Sequence, residues 1–499
     1  MPPPPSKRAL LAAAAILLAP SPALAQLAWT AHAVGEASLG WTDNALAQPD
    51  TNPAGQVEAT FVTLRPGVLA LIDGIKTTQR LQYTFTQTIF LGASEANSRG
   101  HQVDYNLLYT LDSRSEIMAG ASASYGQLNI FNLMRSASSP VGGAAGGTGG
   151  TGGTGGTGGT TGANGLQTGN LTFLTTGVYE NLTHDYSNDL RLLQGLSVSS
   201  YHVLEATPPQ PARFTINHRL GTERRYGRDA LIAEQNTNYL VNLPVEYQGF
   251  QTYRFQSQLL LSALGRWRRD LSERFATELS TGAALAFDPS TRNALLGPTL
   301  GAAVRFHDDF GEAAAGYNRN FTPNVFLGQI YYGDELFARG AVPFFEQTTN
   351  LRISGGTGLV WSNLVDTNTA RLTSSLRVFS ADVGVTWDSH TGINASLRYQ
   401  YFKQTSAIIE NAASGVQPPL NLSRNAVLLT VGVMFPYRYA PPVPREPSGR
   451  VDRSDRPDVS NDAVNPNRRV PGLPSMPGTT APHTPNTGVP PTRGIGPSL

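Results

Sequence analysis

Residues 80–91 read Arg-Leu-Gln-Tyr-Thr-Phe-Thr-Gln-Thr-Ile-Phe-Leu, and their alternation decides the fold class. Leu81, Tyr83, Phe85, Ile89 and Leu91 fall on one side of an extended chain. Arg80, Gln82, Thr84, Thr86 and Thr88 fall on the other. Side chains of a β-strand point to opposite faces with a period of two, so the segment has one greasy face and one wet face. Residues 102–111 repeat the pattern, with Val103, Tyr105, Leu107, Tyr109 and Leu111 against Gln102, Asp104, Asn106 and Thr110.

The pattern recurs far along the chain. From Thr252 the apolar face is Tyr253, Phe255, Leu259, Leu261, Ala263 and Trp267, with Arg254, Gln256, Gln258, Ser262, Arg266 and Arg268 opposite. Residues 275–287 set Phe275, Leu279, Ala283, Leu285 and Phe287 against Glu278 and Ser280. Residues 393–401 set Ile393, Ala395, Leu397, Tyr399 and Tyr401 against Asn394, Ser396, Arg398 and Gln400. Strands of a soluble sheet run to about 5 or 6 residues. These run to roughly 10–16, and a tilted strand needs about 9–11 to cross the hydrocarbon of a bilayer. Aromatic residues cluster near the strand ends, as an interfacial girdle requires. The expectation is an all-β transmembrane barrel, antiparallel and up-and-down.

Turns give an independent count. Short polar reversals stand at Asp73-Gly74, 112–115, 184–188, 227–229, 270–273, Asp308-Asp309 and 388–390. Asp, Gly, Ser and Asn favour tight reversals through side-chain-to-backbone bonds and positive φ. Longer breaks lie between them, at 42–56, 92–99, 129–167, 204–212, 242–250, 323–369 and 406–424; only 289–292 is short on that side. Short turns alternating with long loops are the habit of bacterial barrels, the turns being periplasmic. The count predicts about 16 strands. Parity leaves 18 open, since residues 323–369 are either one long loop or hide a strand pair around 326–345 and 351–361. The final strand would be 426–435, with Val427, Leu429, Val431, Val433 and Phe435 on one face.

The ends of the chain fix compartment and domains. Lys7 and Arg8, the apolar run 10–19 and the Ala23-Leu24-Ala25 site have the order of a secretory signal peptide, expected over 1–25. The barrel is expected over 26–437 and a Pro-rich periplasmic tail without fixed structure over 438–499. The Gly/Thr tract 142–164 lacks the Lys-Ser/Thr ending of a phosphate loop and reads as a flexible loop. The chain has no cysteine, which excludes disulfides, Cys-ligated metals and a lipidated Cys anchor. A net charge of +1 gives no sign of a nucleic-acid partner.

Residues 39–46, Leu-Gly-Trp-Thr-Asp-Asn-Ala-Leu, end the first strand. They resemble the Gly-Tyr-Thr-Asp-Asn opening of the β-barrel porin 2 family, with Trp41 in place of the usual Tyr. The resemblance extends from about Val34 to Phe435 and rests on this one short motif. It implies an outer-membrane barrel of porin type, related to barrels of exopolysaccharide export and exosortase-linked systems. It implies no catalytic residue.

Several chemistries can be weighed. The chain has eight His, and no G-x-S-x-G elbow or H-E-x-x-H motif accompanies them. No enzyme, cofactor or metal is expected. Asp43-Asn44 could offer oxygens to Ca²⁺, but the simpler reading is a loop start bonded to its own backbone. Candidate pore-lining residues are Arg80, Asp104, Arg254, Arg266, Arg268, Glu278, Asp382 and Arg398. A cationic wall would favour anionic solutes, whereas pairing of the arginines with Asp104, Glu278 and Asp382 would hold the barrel's shape. Expected partners are outer-membrane lipid and lipopolysaccharide, the outer-membrane assembly machinery, and small solutes or polysaccharide in transit. A homo-oligomer stays open. The function expected is a passive channel or an accessory barrel for exopolysaccharide export, the rivals being a structural or adhesive barrel with a plugged lumen and an outer-membrane hydrolase.

Overall fold

A computed structural model describes residues 28–46, 50, 56–127, 172–204, 211–247, 250–253, 255–308, 311–324, 329–344, 351–366, 371–389, 392–408 and 421–435. The expected signal peptide, the Gly/Thr tract and the tail 438–499 lie outside the described residues, as do Arg254, His390 and His483.

The described chain is all-β. Its strands are β1 (Ala28–Thr42), β2 (Ala59–Leu64), β3 (Gly67–Asp73), β4 (Thr77–Leu91), β5 (Ser98–Thr110), β6 (Ser115–Gln127), β7 (Thr172–Asp185), β8 (Leu190–Val203), β9 (Arg213–Tyr226) and β10 (Asp229–Asn242). A small hairpin, β11 (Val245–Tyr247) and β12 (Phe250–Tyr253), stands apart from the main sheet. Then follow β13 (Gln256–Asp270), β14 (Phe275–Phe287), β15 (Ala294–Asp308), β16 (Gly311–Asn324), β17 (Gln329–Phe344), β18 (Leu351–Asp366), β19 (Arg371–Asp388), β20 (Ile393–Ile408) and β21 (Leu422–Phe435).

Around the main sheet neighbouring strands pair antiparallel, β10 passing directly to β13, and β1 closes on β21 from Ala33↔Phe435 to Thr42↔Ala426. Closure removes the sheet edges that lipid cannot satisfy. β2 and β3 form one barrel strand interrupted at Arg65-Pro66. The ladder runs on through the interruption, because Arg65 N donates to Glu36 O at 2.7 Å and Phe85 N to Pro66 O at 2.9 Å. Counted this way the barrel has eighteen strands.

Eighteen replaces the expected sixteen and realises the alternative that parity left open. β17 and β18 are the pair within 323–369. Their alternation is faint for a physical reason. Gly355, Gly356 and Gly358 leave both faces of β18 nearly bare, and Asp334 interrupts the outward series of β17.

The expected register holds. Val103 is exposed and Asp104 buried; Leu81 and Tyr83 are exposed where Gln82 and Thr84 are buried. Leu39, Leu279, Leu397, Leu429 and Val431 stand bare on the outside, an apolar belt. Trp29, Trp41, Tyr125, Phe275, Trp387 and Phe435 stand exposed toward the strand ends. Inside, three apolar patches occupy the half nearer the long loops: Phe61 with Phe90 and Ala426, Leu260 with Ala284 and Ala286, and Val378 with Leu376 and Phe402.

Candidate functional site: the barrel lumen

The inward positions of five neighbouring strands carry one continuous chain of alternating charge. Arg219 on β9 pairs with Glu234 on β10, and Glu234 also pairs with Arg266 on β13. Arg266 reaches Glu278 on β14 at 3.6 Å, and Glu278 meets Arg305 on β15 at 3.4 Å. The strand registers bring these positions together: Ile232 faces Arg266, and Arg268 faces Glu278. This belt lies in the half nearer the short turns. Shorter pairs flank it, Arg225 with Glu223 at 2.7 Å and Arg191 with Asp185 at 2.8 Å. The carboxylates are buried in the wall, where an unpaired charge would be costly, so each acid needs its arginine.

Elsewhere around the wall the charges are sparser. Arg80 is on the inward face of β4 and donates to Gln82 Oε1 at 2.8 Å. Asp104, buried on β5, accepts from Gln102 Nε2 at 2.8 Å. Arg398 stands 3.9 Å from Asp382, and Arg65 3.7 Å from Glu36. Of the sequence-derived candidates, Arg266 and Glu278 are thus brought into one network, with Arg268 beside it. Arg80 and Asp104 form a second locus, and Asp382 with Arg398 a third. Arg254 lies outside the described residues.

Sequence reading missed Arg219, Glu234 and Arg305. Glu234 sits in the series Ala230, Ile232, Glu234, Asn236, Asn238, whose inward side mixes apolar and polar residues and so hides the alternation.

The loop-side half of the lumen is narrowed. Beyond Arg319, β16 leaves the wall and its tip folds inward. The Phe321 ring lies over Gly297 on the inner face of β15, so close that an added Cβ there would meet the ring at 2.8 Å. Phe321 packs against Tyr332 with ring centroids 4.3 Å apart and the rings tilted by 33°. Ile330 and Val365 join it against Leu260, Ala284 and Ala286.

Asp43-Asn44 turns out to be a clasp between chain ends. Asp43 accepts from the backbone N–H of Asn425 at 2.8 Å and from its Nδ2 at 2.6 Å. Asn44 Nδ2 donates to Ser423 O at 3.3 Å, and Arg424 Nε to Thr42 Oγ1 at 3.1 Å. The motif therefore bonds the last strand, while locally the Asn44 backbone N–H donates to Thr42 Oγ1 at 3.3 Å.

The histidines are spread over separate places. His101 Nδ1 lies 2.8 Å from the Tyr83 hydroxyl on the outer face, and His32 Nε2 lies 3.2 Å from Thr30 Oγ1. His184 Nδ1 is 2.9 Å from Ser115 Oγ, which also donates to Asp112 at 3.1 Å. Here the carboxylate holds the serine. A catalytic triad needs it on the far nitrogen of the histidine. Among the described residues no three His, Asp or Glu side chains stand together as a metal site would require.

No family model matches the chain, so the resemblance carried by Leu39–Leu46 stands on those residues alone. No curated protein matches it either. Solved structures with a similar fold include the outer membrane protein OpdK from Pseudomonas aeruginosa, at 9% identity, 81% of this chain, 99% of that one and a TM-score of 0.38. Acinetobacter baumannii OccAB3 is 9% identical, with 82% and 99% covered and a TM-score of 0.41. The FrpB iron transporter from Neisseria meningitidis is 7% identical, with 81% of each chain covered and a TM-score of 0.44. Likeness at this level carries no argument about function, which rests on the barrel itself.

Proposed function

We propose that this chain is a porin-like channel of the bacterial outer membrane, passing small polar and charged solutes by diffusion without chemistry on them. The observation that carries the reading is the contrast across one wall: exposed Leu, Val and Trp outside, and the belt Arg219–Glu234–Arg266–Glu278–Arg305 inside. Barrels of about 16–18 strands leave room for an aqueous channel. An Arg facing lipid at mid-depth would cost about 2–4 kcal/mol, so inward placement of these arginines suits a membrane-spanning wall. Residues 1–25 would be the export signal, and the short turns and 438–499 would lie in the periplasm. The belt holds three guanidiniums and two carboxylates, which supports a mild preference for anions.

The inward tip of β16 and β17 favours a second reading, a barrel closed on its loop side. No observation favours an accessory role in exopolysaccharide export over general diffusion. Planar-bilayer recording of the purified protein tests the choice. Stepwise currents with a reversal potential on the anion side support the channel. Insertions without current support the closed barrel.

A further inference from the structure

β15 and β16 are neighbours, yet they pair only from Leu300↔Arg319 to Asp308↔Gly311. Both strands continue beyond that point, β15 back to Ala294 and β16 on to Asn324. The seam between them is open along six residues of β15, about 20 Å of strand. Pro298 explains part of this. It has no N–H to donate to a neighbour, and its carbonyl accepts the Tyr332 hydroxyl at 3.0 Å instead.

The opening has an outside and an inside. Leu296 points outward on the bare edge of β15 and is 69% exposed. β16 passes through the plane of the wall. Its odd-numbered face is exposed on the outside at Ala313 and Ala315, yet at Phe321 the same face rests on the inside of β15. Behind the seam lies a closed apolar cluster of Leu260, Ala284, Ala286, Phe321, Ile330 and Val365, with the Phe321 ring nearest the bare strand.

The lower lip is charged, on a face that looks outward. Arg319 donates to both oxygens of Asp334, at 2.8 and 3.0 Å, and the Tyr317 hydroxyl donates to the same carboxylate at 2.5 Å. Leu336, two residues along β17 on that face, is exposed with the belt. Ionisable groups at membrane depth are expensive, and where they persist they mark pathways.

We propose that the β15–β16 seam is a lateral portal between the lumen and the outer leaflet, for an amphiphile with an acyl chain and an anionic head group. The chain would take the place of the Phe321 ring against Leu260, Ala284 and Ala286. The head would be taken by Arg319, which exchanges Asp334 for it. This rests on the membrane-channel reading.

The test uses the full protein in liposomes with a diazirine-bearing stearate, photolysed and mapped by peptide mass spectrometry. Labelling of belt positions such as Leu39, Leu81 and Val103 reports insertion. The portal predicts additional label on the inward Ala284, Ala286 and Phe321. It also predicts that Arg319→Gln lowers this inner labelling several-fold for stearate but leaves it unchanged for the matching uncharged fatty alcohol. Belt labelling with none at the inner positions would overturn the portal and leave the barrel standing. Inner labelling that Arg319→Gln lowers equally for both probes would overturn the role of the anionic head. Absence of belt labelling would overturn the membrane reading and the portal with it.

Discussion

Asp43 and Asn425 stand at opposite ends of the barrel sequence and are joined by two hydrogen bonds to one carboxylate, at 2.8 and 2.6 Å. Tyr399 extends the contact by donating to Asn425 Oδ1 at 2.6 Å. Closure is the step no local hairpin supplies, because β1 and β21 must meet across the whole chain. Hydrogen bonds to a charged group contribute about 1.5–3 kcal/mol each. Asp43→Ala should lower the stability of the folded barrel by about 1–3 kcal/mol, read as an earlier urea midpoint in lipid vesicles. Asn425→Ala should add only the loss of its Tyr399 contact once Asp43 is gone. Fully additive effects in the double variant would mean that the clasp is not one unit.

The charge belt makes a prediction with a sign. Arg266 serves both Glu234 and Glu278, so Arg266→Met leaves Glu278 to Arg305 and Glu234 to Arg219. Breaking a buried pair costs about 3–5 kcal/mol, and the remaining arginines should hold the loss at the lower end. The reversal potential in a salt gradient should move toward cations. Glu234→Gln should move it the other way. Unchanged selectivity in both variants would place the ion path away from this wall.

Much of this was legible in the sequence, and the limits have physical causes. The alternations at 80–91 and 102–111 gave wall, register and inward Asp104 directly, because one face of each strand is uniformly apolar. The belt was half visible. Arg266, Arg268 and Glu278 stand on cleanly alternating strands, whereas Glu234 stands among Ile232, Asn236 and Leu240. The β17–β18 pair was faint because Gly355, Gly356 and Gly358 strip side chains from both faces of β18 and Asp334 breaks the outward series of β17. The partner of Asp43 was invisible for another reason. Pairing of first and last strands is a property of closure, and no spacing in the sequence reports it.

Gly297 leaves the space that the Phe321 ring fills. Gly297→Leu should push the ring away and unseat the tip of β16, widening the loop-side half of the lumen. Single-channel conductance should rise, and Phe321→Ala should raise it too. If neither variant changes the current step, the tip does not lie on the conducting path.

The turn after β5 carries a pH signature outside the membrane. Asp112 accepts the backbone N–H of Arg114 at 2.7 Å and the Ser115 hydroxyl at 3.1 Å, and these bonds hold its carboxyl below the usual carboxylate range. A depressed folded value means that the contribution is full above the unfolded value of about 3.9. It is lost as pH falls through the folded value. The difference in turn order between the wild type and Asp112→Ala, followed by amide exchange at Arg114, should be present at neutral pH and shrink in acid. A difference that grows in acid would contradict the assignment.

Thiol accessibility along β5 tests the central claim most directly, since the chain has no cysteine of its own. Single cysteines at Gln102, Asp104 and Asn106, and at Val103, Tyr105 and Leu107, would be treated with a charged, membrane-impermeant thiol reagent during single-channel recording. The account predicts reaction and a drop in current at the three even positions and neither at the three odd ones. Equal reaction at both sets, or reaction at the odd set alone, would contradict a wall that is wet inside and oily outside.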